Sequence, residues 1–394
     1  MHYNFDELVD RTNVSTGKWE GEQRRLHNPN FIGMGANEMD FKAAPEIIEA
    51  LHQKVDTGIF GYCYIPDSYY EAIINYYREQ FHWELKREYL HHHHGVWKAL
   101  RDLLAVISEP GDEIIYQPPI HAPFMRVIST MKRIPVANPL VRKDGQYVFD
   151  FEQLESCFTE RTKALFLCNP ENPTGTVWKR DDLKRISDIC LAHNVLLISD
   201  DVYNGLVYEG HTYTPIATFS EEAAMNTVTL SSASKTFNLA GLSHAIVIIY
   251  DRELGEKYDQ MNSAVTSPSL LGVAATEAAF RYGVEWKRQL LVYLQENQRY
   301  FSDFIHEHMA EFIVTPAEGL YVAWLDCSCM GLDDQELDDF FEKGAEIGPR
   351  HGYAFGQGGK GYMRFNLACP RSRLEDAMQR FLCAYEGFKE RRRV

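Results

Sequence analysis

From about residue 88 onward, short apolar runs recur, each closed by a turn and often followed by residues at helical spacing. The runs are REYLHH, DEIIYQ, KRIPVA, KALFLC, VLLIS, TVTLSS and HAIVIIY. Several are apolar throughout instead of alternating, the pattern of parallel strands covered on both faces. Between them lie amphipathic stretches such as VWKALRDLLAVI, which sets Leu100, Leu103, Leu104 and Ile107 on one stripe, and DDLKRISDICLAHN. Seven such runs with intervening helices predict a doubly wound, mainly parallel α/β sheet. After about residue 265 the pattern changes to long helices, including GVEWKRQLLVYLQENQRYFSDFIHEHM. A small α+β region follows, with EGLYVAWLD and GYMRFNL as its strands. The division expected is an N-terminal segment, 1–40, packing with the small domain, a large domain, 41–265, and a small C-terminal domain, 266–394.

Composition narrows the partners. The 394 residues are 45% hydrophobic and 24% charged, as in an ordinary globular enzyme. A net charge of −16 argues against a nucleic-acid or anionic-membrane surface. The opening residues MHYNFDELVDRTN carry no apolar core or cleavage site, and no run is long enough to span a membrane. The eight cysteines are scattered, as expected of reduced thiols in the cytoplasm. His91–His94 would point alternately to opposite faces of an extended segment, so they are not expected to converge on a metal.

The candidate chemistry sits at the ends of the apolar runs, where open α/β sheets bind ligands. Lys235 follows TVTLSS within SKTFNLAGL. Asp200 and Asp201 end VLLIS, with Tyr203 beyond them. NPENPTG, residues 169–175, follows KALFLC, and Arg364 lies in GYMRFNL. Singly, each has a plain structural explanation as a turn or cap. Jointly, and in this order, they resemble the fold-type-I pyridoxal phosphate enzymes of the aspartate aminotransferase superfamily. The pieces KWE, EMDF, FGY, NPENPTGTVW, SKTFNLAGL and RFNLACPRSRLEDAMQRF are most similar to the cystathionine β-lyase-like C–S lyases of the MalY/PatB type. Ser243 stands where aminotransferases of this superfamily usually carry an arginine for the cofactor phosphate.

The resemblance implies a role for each residue. Lys235 forms the Schiff base with pyridoxal 5′-phosphate and later acts as the base at Cα. Asp200 pairs with the pyridine nitrogen, while Asn172 and Tyr203 bond the ring's O3′. Gly95 and Val96, opening a helix, bind the phosphate with Ser232 and Ser234. Tyr62 reaches the neighbouring subunit's phosphate, which implies a homodimer with sites at the interface. Arg364 grips the α-carboxylate of an amino-acid substrate.

The sequence also departs from that family. Gly35 and Ala36, in GANEMDF, replace two large residues, which suggests room for a larger S-substituent. His121 takes the place of the aromatic that stacks on the cofactor and can also shuttle protons. SDDVY, with Tyr203, replaces SDEIH, a form more typical of aminotransferases. The activity implied is β-elimination of an S-substituted cysteine to thiol, pyruvate and ammonia. Decarboxylation with oxidative deamination to an S-linked aldehyde, and transamination, stay open. Related enzymes that tailor sulfur-linked natural products, such as lincosamides, make specialised metabolism one setting.

Overall fold

The computed structural model describes residues 2–11, 14–263 and 267–393. Its strands among these, in chain order, are β1 (Ile32–Met34), β2 (Leu90–His93), β3 (Glu113–Tyr116), β4 (Ile134–Ala137), β5 (Val141–Lys143), β6 (Gln146–Val148) and β7 (Thr162–Cys168). They continue with β8 (Leu196–Asp200), β9 (Thr227–Ser231), β10 (Ala245–Ile249), β11 (Ile313–Val314), β12 (Val322–Asp326), β13 (Ile347–His351) and β14 (Tyr362–Asn366). The seven runs expected from the sequence become one seven-stranded sheet of spatial order β2-β10-β9-β8-β7-β3-β4. Pairing is parallel from β4 through β3, β7 and β8 to β9, whereas β10 runs antiparallel to both β9 and β2. The two reversals leave β2 pointing the same way as β9. The carboxyl ends of β2, β7, β8 and β9 therefore share one edge.

The unbroken apolar runs are explained by helices on both faces. Successive side chains of a strand point to opposite sides. Phe166 packs against Leu100, Leu103 and Phe124 on one face, while Leu165 and Leu167 pack against Leu183 and Ile186 on the other, and all are buried. The helices Val96–Ile107 and Arg180–Ala192 supply those two layers, close to their expected positions. Leu100, Leu103 and Leu104 of the expected stripe are fully buried; Ile107, at the helix end, is half-buried.

A second sheet has the order β1-β13-β14-β12-β11. Two of its strands, β12 and β14, lie within the expected EGLYVAWLD and GYMRFNL. β1 joins its edge by pairing parallel to β13, so the N-terminal segment is part of this layer. The helices Val284–His308 and Arg371–Arg393 cover it, with Phe301, Phe341, Phe365 and Phe381 in its core. The expected junction between residues 265 and 266 lies outside the described residues.

Candidate active site

β9 delivers Lys235. After Ser231 the chain turns into the short helix Ala233–Thr236, whose N-cap Ser232 accepts a bond from the Ser234 N–H at 3.0 Å. The Lys235 ammonium does not reach solvent freely. It donates to the main-chain oxygen of Asn37 at 2.8 Å. Burial first, and the charge of Arg364 second, push its pKa down from 10.5 to about 8, against the opposing pull of Asp200 and Glu38.

Asp200 is the last residue of β8, and its neighbour Asp201 is also buried. Their surroundings separate them. Asp201 accepts bonds from the Ser199 and Tyr213 hydroxyls, so its carboxylate is structurally occupied. Among the described residues the Asp200 carboxylate receives only the Val202 N–H, at 3.2 Å. Burial pushes its pKa up from 3.8 to about 7, which marks a carboxylate in want of a cation.

Arg364, on β14, is 2% exposed. It donates from Nη1 to Asn172 Oδ1 at 2.9 Å and from Nη2 to the Gly35 oxygen at 2.7 Å, and Phe355 packs against its guanidinium at 4.9 Å. Its Nε–H has no partner among the described residues. Because the Asn172 oxygen is taken by Arg364, its Nδ2 is the group left to donate elsewhere.

Tyr203 is buried, and its hydroxyl accepts from Asn37 Nδ2. His121 lies 5.4 Å from the Trp97 ring, centroid to centroid. Burial, with the charges of Arg364, Lys235 and Arg350, pushes its imidazole well below 6.5, so it is neutral at physiological pH.

Gly95 caps the helix Val96–Ile107 with φ +107°, a conformation that suits glycine. No side chain caps that end, and a Cβ on Gly95 would meet nothing within 4 Å. Free N–H donors thus face open space at the positive end of a 12-residue helix. Ser232 is less available than the sequence suggested. Its hydroxyl hydrogen is committed to the His244 oxygen at 2.7 Å, whereas Ser234 is half-buried beside it. Tyr62 is 98% exposed, alongside the exposed Ile59, Phe60 and Tyr64, and joins none of these bonds. Three of the four consecutive histidines reach separate partners: His91 to Asp259, His93 to Asp102 and His94 to the Ser267 oxygen.

Gly35 and the exposed Ala36 both line the cavity in front of Arg364. A Cβ on Gly35 would lie 3.0 Å from the Gly348 oxygen and 3.5 Å from the Arg350 nitrogen, so its small size also lets the chain leaving β1 approach β13 closely.

Sequence reasoning missed the hub of the site, Asn37. Its main-chain oxygen accepts from both Lys235 and Tyr321, the latter at 3.1 Å, while its side chain holds Tyr203. Asn366 braces the same segment by donating to the Ala36 and Glu38 oxygens. Glu171 was missed too: its carboxyl is fully buried, and burial with nearby Asp200 pushes its pKa well up against the opposing effect of the Asn172 main chain. The only sequence signal for these was polar residues inside otherwise recognisable motifs.

The residues present fit pyridoxal phosphate. A ring N–H would satisfy Asp200, a phosphate would meet the bare helix end, and an aldehyde would find the weakly basic Lys235. Comparisons agree with the geometry. The chain matches the family "Aminotransferase class I and II" over residues 29–381. It is 33% identical to cystathionine β-lyase PatB of Bacillus subtilis, covering 97% of this chain and 99% of that protein. Cystalysin from Treponema denticola, whose structure contains pyridoxal 5′-phosphate, superposes with a TM-score of 0.95 at 30% identity, covering 98% of this chain and 100% of that one. The pyridoxal-phosphate-bound C–S lyase from Staphylococcus hominis gives 0.90 at 28% identity, with 98% of each chain covered.

Proposed function

The chain belongs to the aminotransferase class I and II family of fold-type-I pyridoxal phosphate enzymes, and on that premise we infer that it is a C–S lyase acting on an S-substituted cysteine. The reaction is β-elimination: the conjugate and water give a free thiol, pyruvate and ammonium. The observation that carries this reading is the similarity to cystathionine β-lyase PatB over nearly the whole chain, in a site where Arg364 is held by Asn172 and Gly35 and Lys235 by the Asn37 oxygen.

Bound through Lys235 Nζ, pyridoxal phosphate supplies an electron sink beside the substrate's Cα. Asp200 would accept the ring's N–H and so hold the proton that makes the ring electron-poor. Asn172 Nδ2 and the Tyr203 hydroxyl would serve O3′. The N–H groups following Gly95, from Val96 onward, would hold the phosphate, with Ser234 as a further donor. His121 would offer its ring face to the cofactor.

Arg364 uses its remaining N–H groups on the α-carboxylate and so orients Cα. Lys235 Nζ would be the base placed to take the Cα proton. With a pKa of about 8, about a tenth of that amine is neutral at pH 7, against well under a thousandth at its ordinary value, as suits a general base. Nζ then returns a proton to the departing sulfur. The exposed Tyr62 and its apolar neighbours support a homodimer in which Tyr62 serves the partner's phosphate. All eight cysteines are free thiols, which supports a cytoplasmic setting.

The test is product analysis on purified holoenzyme given a panel of cysteine S-conjugates, with dissolved oxygen monitored. Thiol, pyruvate and ammonia in equal amounts, without oxygen uptake, are expected. Carbon dioxide and an S-linked aldehyde with oxygen consumed, or a keto acid formed only with an amino acceptor present, would replace the lyase reading.

A further inference from the structure

Two carboxylates act on the Lys235 amine through their charge, Asp200 and Glu38. Asp200 is the partner assigned to the cofactor's ring nitrogen. Glu38 has no such ligand, yet it follows Asn37, whose main-chain oxygen accepts from Nζ. A carboxylate in that place would ordinarily close on the ammonium and hold its proton. Glu38 is instead taken by Arg11, which donates from Nη2 to its Oε1.

The same guanidinium donates from Nη1 to Asp40 Oδ1 at 2.7 Å and to the Met39 oxygen at 3.4 Å. The Arg11 and Glu38 side chains are 16% and 29% exposed, so the pair is shielded from much of the solvent that weakens a surface ion pair. Asp40 does not depend on Arg11, since Lys18 pairs with it at 3.1 Å and Trp19 Nε1 donates to it at 2.8 Å. The Glu38 carboxylate does depend on it: Lys18 reaches only the Glu38 main-chain oxygen, at 3.3 Å.

The path of this segment is fixed without Arg11. Asn238 accepts from the Met39 N–H at 2.9 Å and donates to the Met39 and Phe41 oxygens at 3.1 and 2.9 Å, while Asn366 holds the Ala36 and Glu38 oxygens. Those contacts are neutral. What Arg11 adds is charge, delivered to a carboxylate whose field reaches both Lys235 and Tyr321. The other charged or titratable groups felt with Lys235, namely Arg364 on β14, Asp200 on β8 and His121, come from different elements and do not bond Arg11.

We propose that Arg11 is a positioning residue that acts on Lys235 through Glu38: it holds this carboxylate off Nζ and balances its charge, which makes the N-terminal segment part of the acid–base machinery. The proposal goes beyond the lyase reading. It needs Lys235 as the cofactor-bearing lysine, whichever substrate bond is broken.

The test is a titration of purified holoenzyme between pH 5 and 10, following the visible absorption that changes when the cofactor-bound Lys235 nitrogen loses its proton. Arg11→Gln should raise the midpoint by about half a unit to one unit, a three- to tenfold change in proton affinity, because Glu38 is then unopposed. Glu38→Gln should lower it, since Arg11 is then the unopposed charge, and the double variant should return close to the wild type. Arg11→Lys keeps the charge and should keep the midpoint, as should the remote surface control Arg252→Gln. The cofactor-free proteins give a second measure, because uptake of pyridoxal phosphate needs a neutral amine. At pH 7 Arg11→Gln should take it up about three- to tenfold more slowly, and the double variant should recover. A midpoint unmoved by Arg11→Gln, or moved but not restored by adding Glu38→Gln, overturns the proposal. An Arg11 that only ties down the N-terminal segment would lower stability and leave the midpoint in place. If Arg11→Gln does not fold, Glu38→Gln alone decides: a lowered midpoint supports the proposal and an unmoved one overturns it. None of these measures needs turnover, so absence of thiol release would remove the lyase reading and leave this one.

Discussion

Replacing Lys235 with methionine should stabilise the cofactor-free protein at neutral pH. The lysine's pKa falls from 10.5 to about 8 on folding, because burial and Arg364 disfavour its charge. Each unit is worth about 1.4 kcal/mol, so the folded state gives up roughly 3 kcal/mol to hold the ammonium below pH 8. Between pH 8 and 10.5 the unfolded chain keeps its proton while the folded one has lost it. Stability therefore rises with pH across that window, and the cost vanishes at its upper end. Methionine has similar length and no charge, but it forfeits the bond to the Asn37 oxygen, about 1 kcal/mol. The variant should thus be about 2 kcal/mol more stable at pH 7 and about 1 kcal/mol less stable at pH 10.5. Urea unfolding of the cofactor-free wild type and variant at both pH values reads the difference; groups remote from Lys235 cancel, and Asp200, which its charge holds down, adds a smaller change. A variant less stable at pH 7, or a difference flat between the two pH values, would refute the reasoning. Asp200 and Glu38 would then be compensating the charge fully.

Arg364→Lys should lower kcat/KM by about 100-fold while the bound cofactor's absorption persists, since a single ammonium cannot serve Asn172, Gly35 and a carboxylate together. Steady-state kinetics with a visible spectrum separates this from loss of the cofactor. His121→Phe should keep the shape of the kcat/KM pH profile between pH 6 and 9, because the buried imidazole is already neutral there. Disappearance of an ionisation from that profile would count against it. Gly35→Ala should cost about 1–3 kcal/mol of stability, as its Cβ would sit 3.0 Å from the Gly348 oxygen and push the chain after β1 away from β13. Thermal or urea unfolding measures it.

Strands buried on both faces leave a strong trace in sequence, and for that reason the five inner strands of the large sheet were legible as apolar runs, whereas the edge strands β2 and β4 are only partly buried. The same property hides direction: β10 is enclosed like its neighbours, so nothing in HAIVIIY says that it runs antiparallel. Lys235, Asp200, Asn172 and Arg364 were legible because each sits at a strand end or within a distinctive motif. What their side chains bond to was not. Asp200 and Asp201 are the same residue type side by side, and only Ser199 and Tyr213 reveal that Asp201 is spent on the fold. Likewise, one bond to the His244 oxygen withdraws the Ser232 hydroxyl from the donors expected for a phosphate. Asn37 acts chiefly through its main chain, and a main-chain oxygen has no signature in sequence.

That use of main-chain oxygens explains how a lysine and an arginine can share one buried site in a protein of net charge −16. A carboxylate on Lys235 would satisfy the ammonium but raise its pKa, and the amine would then be too seldom neutral to act as a base. A carboxylate on Arg364 would compete with the substrate's own. The segment after β1 avoids both by presenting neutral acceptors, the Asn37 oxygen to Lys235 and the Gly35 oxygen to Arg364. Each cation keeps a hydrogen bond and neither is neutralised. Arg364 in turn holds the pKa of Lys235 down. The strand edge that brings residues 35–37 against β13 and β14 is therefore part of the acid–base chemistry as much as of the fold.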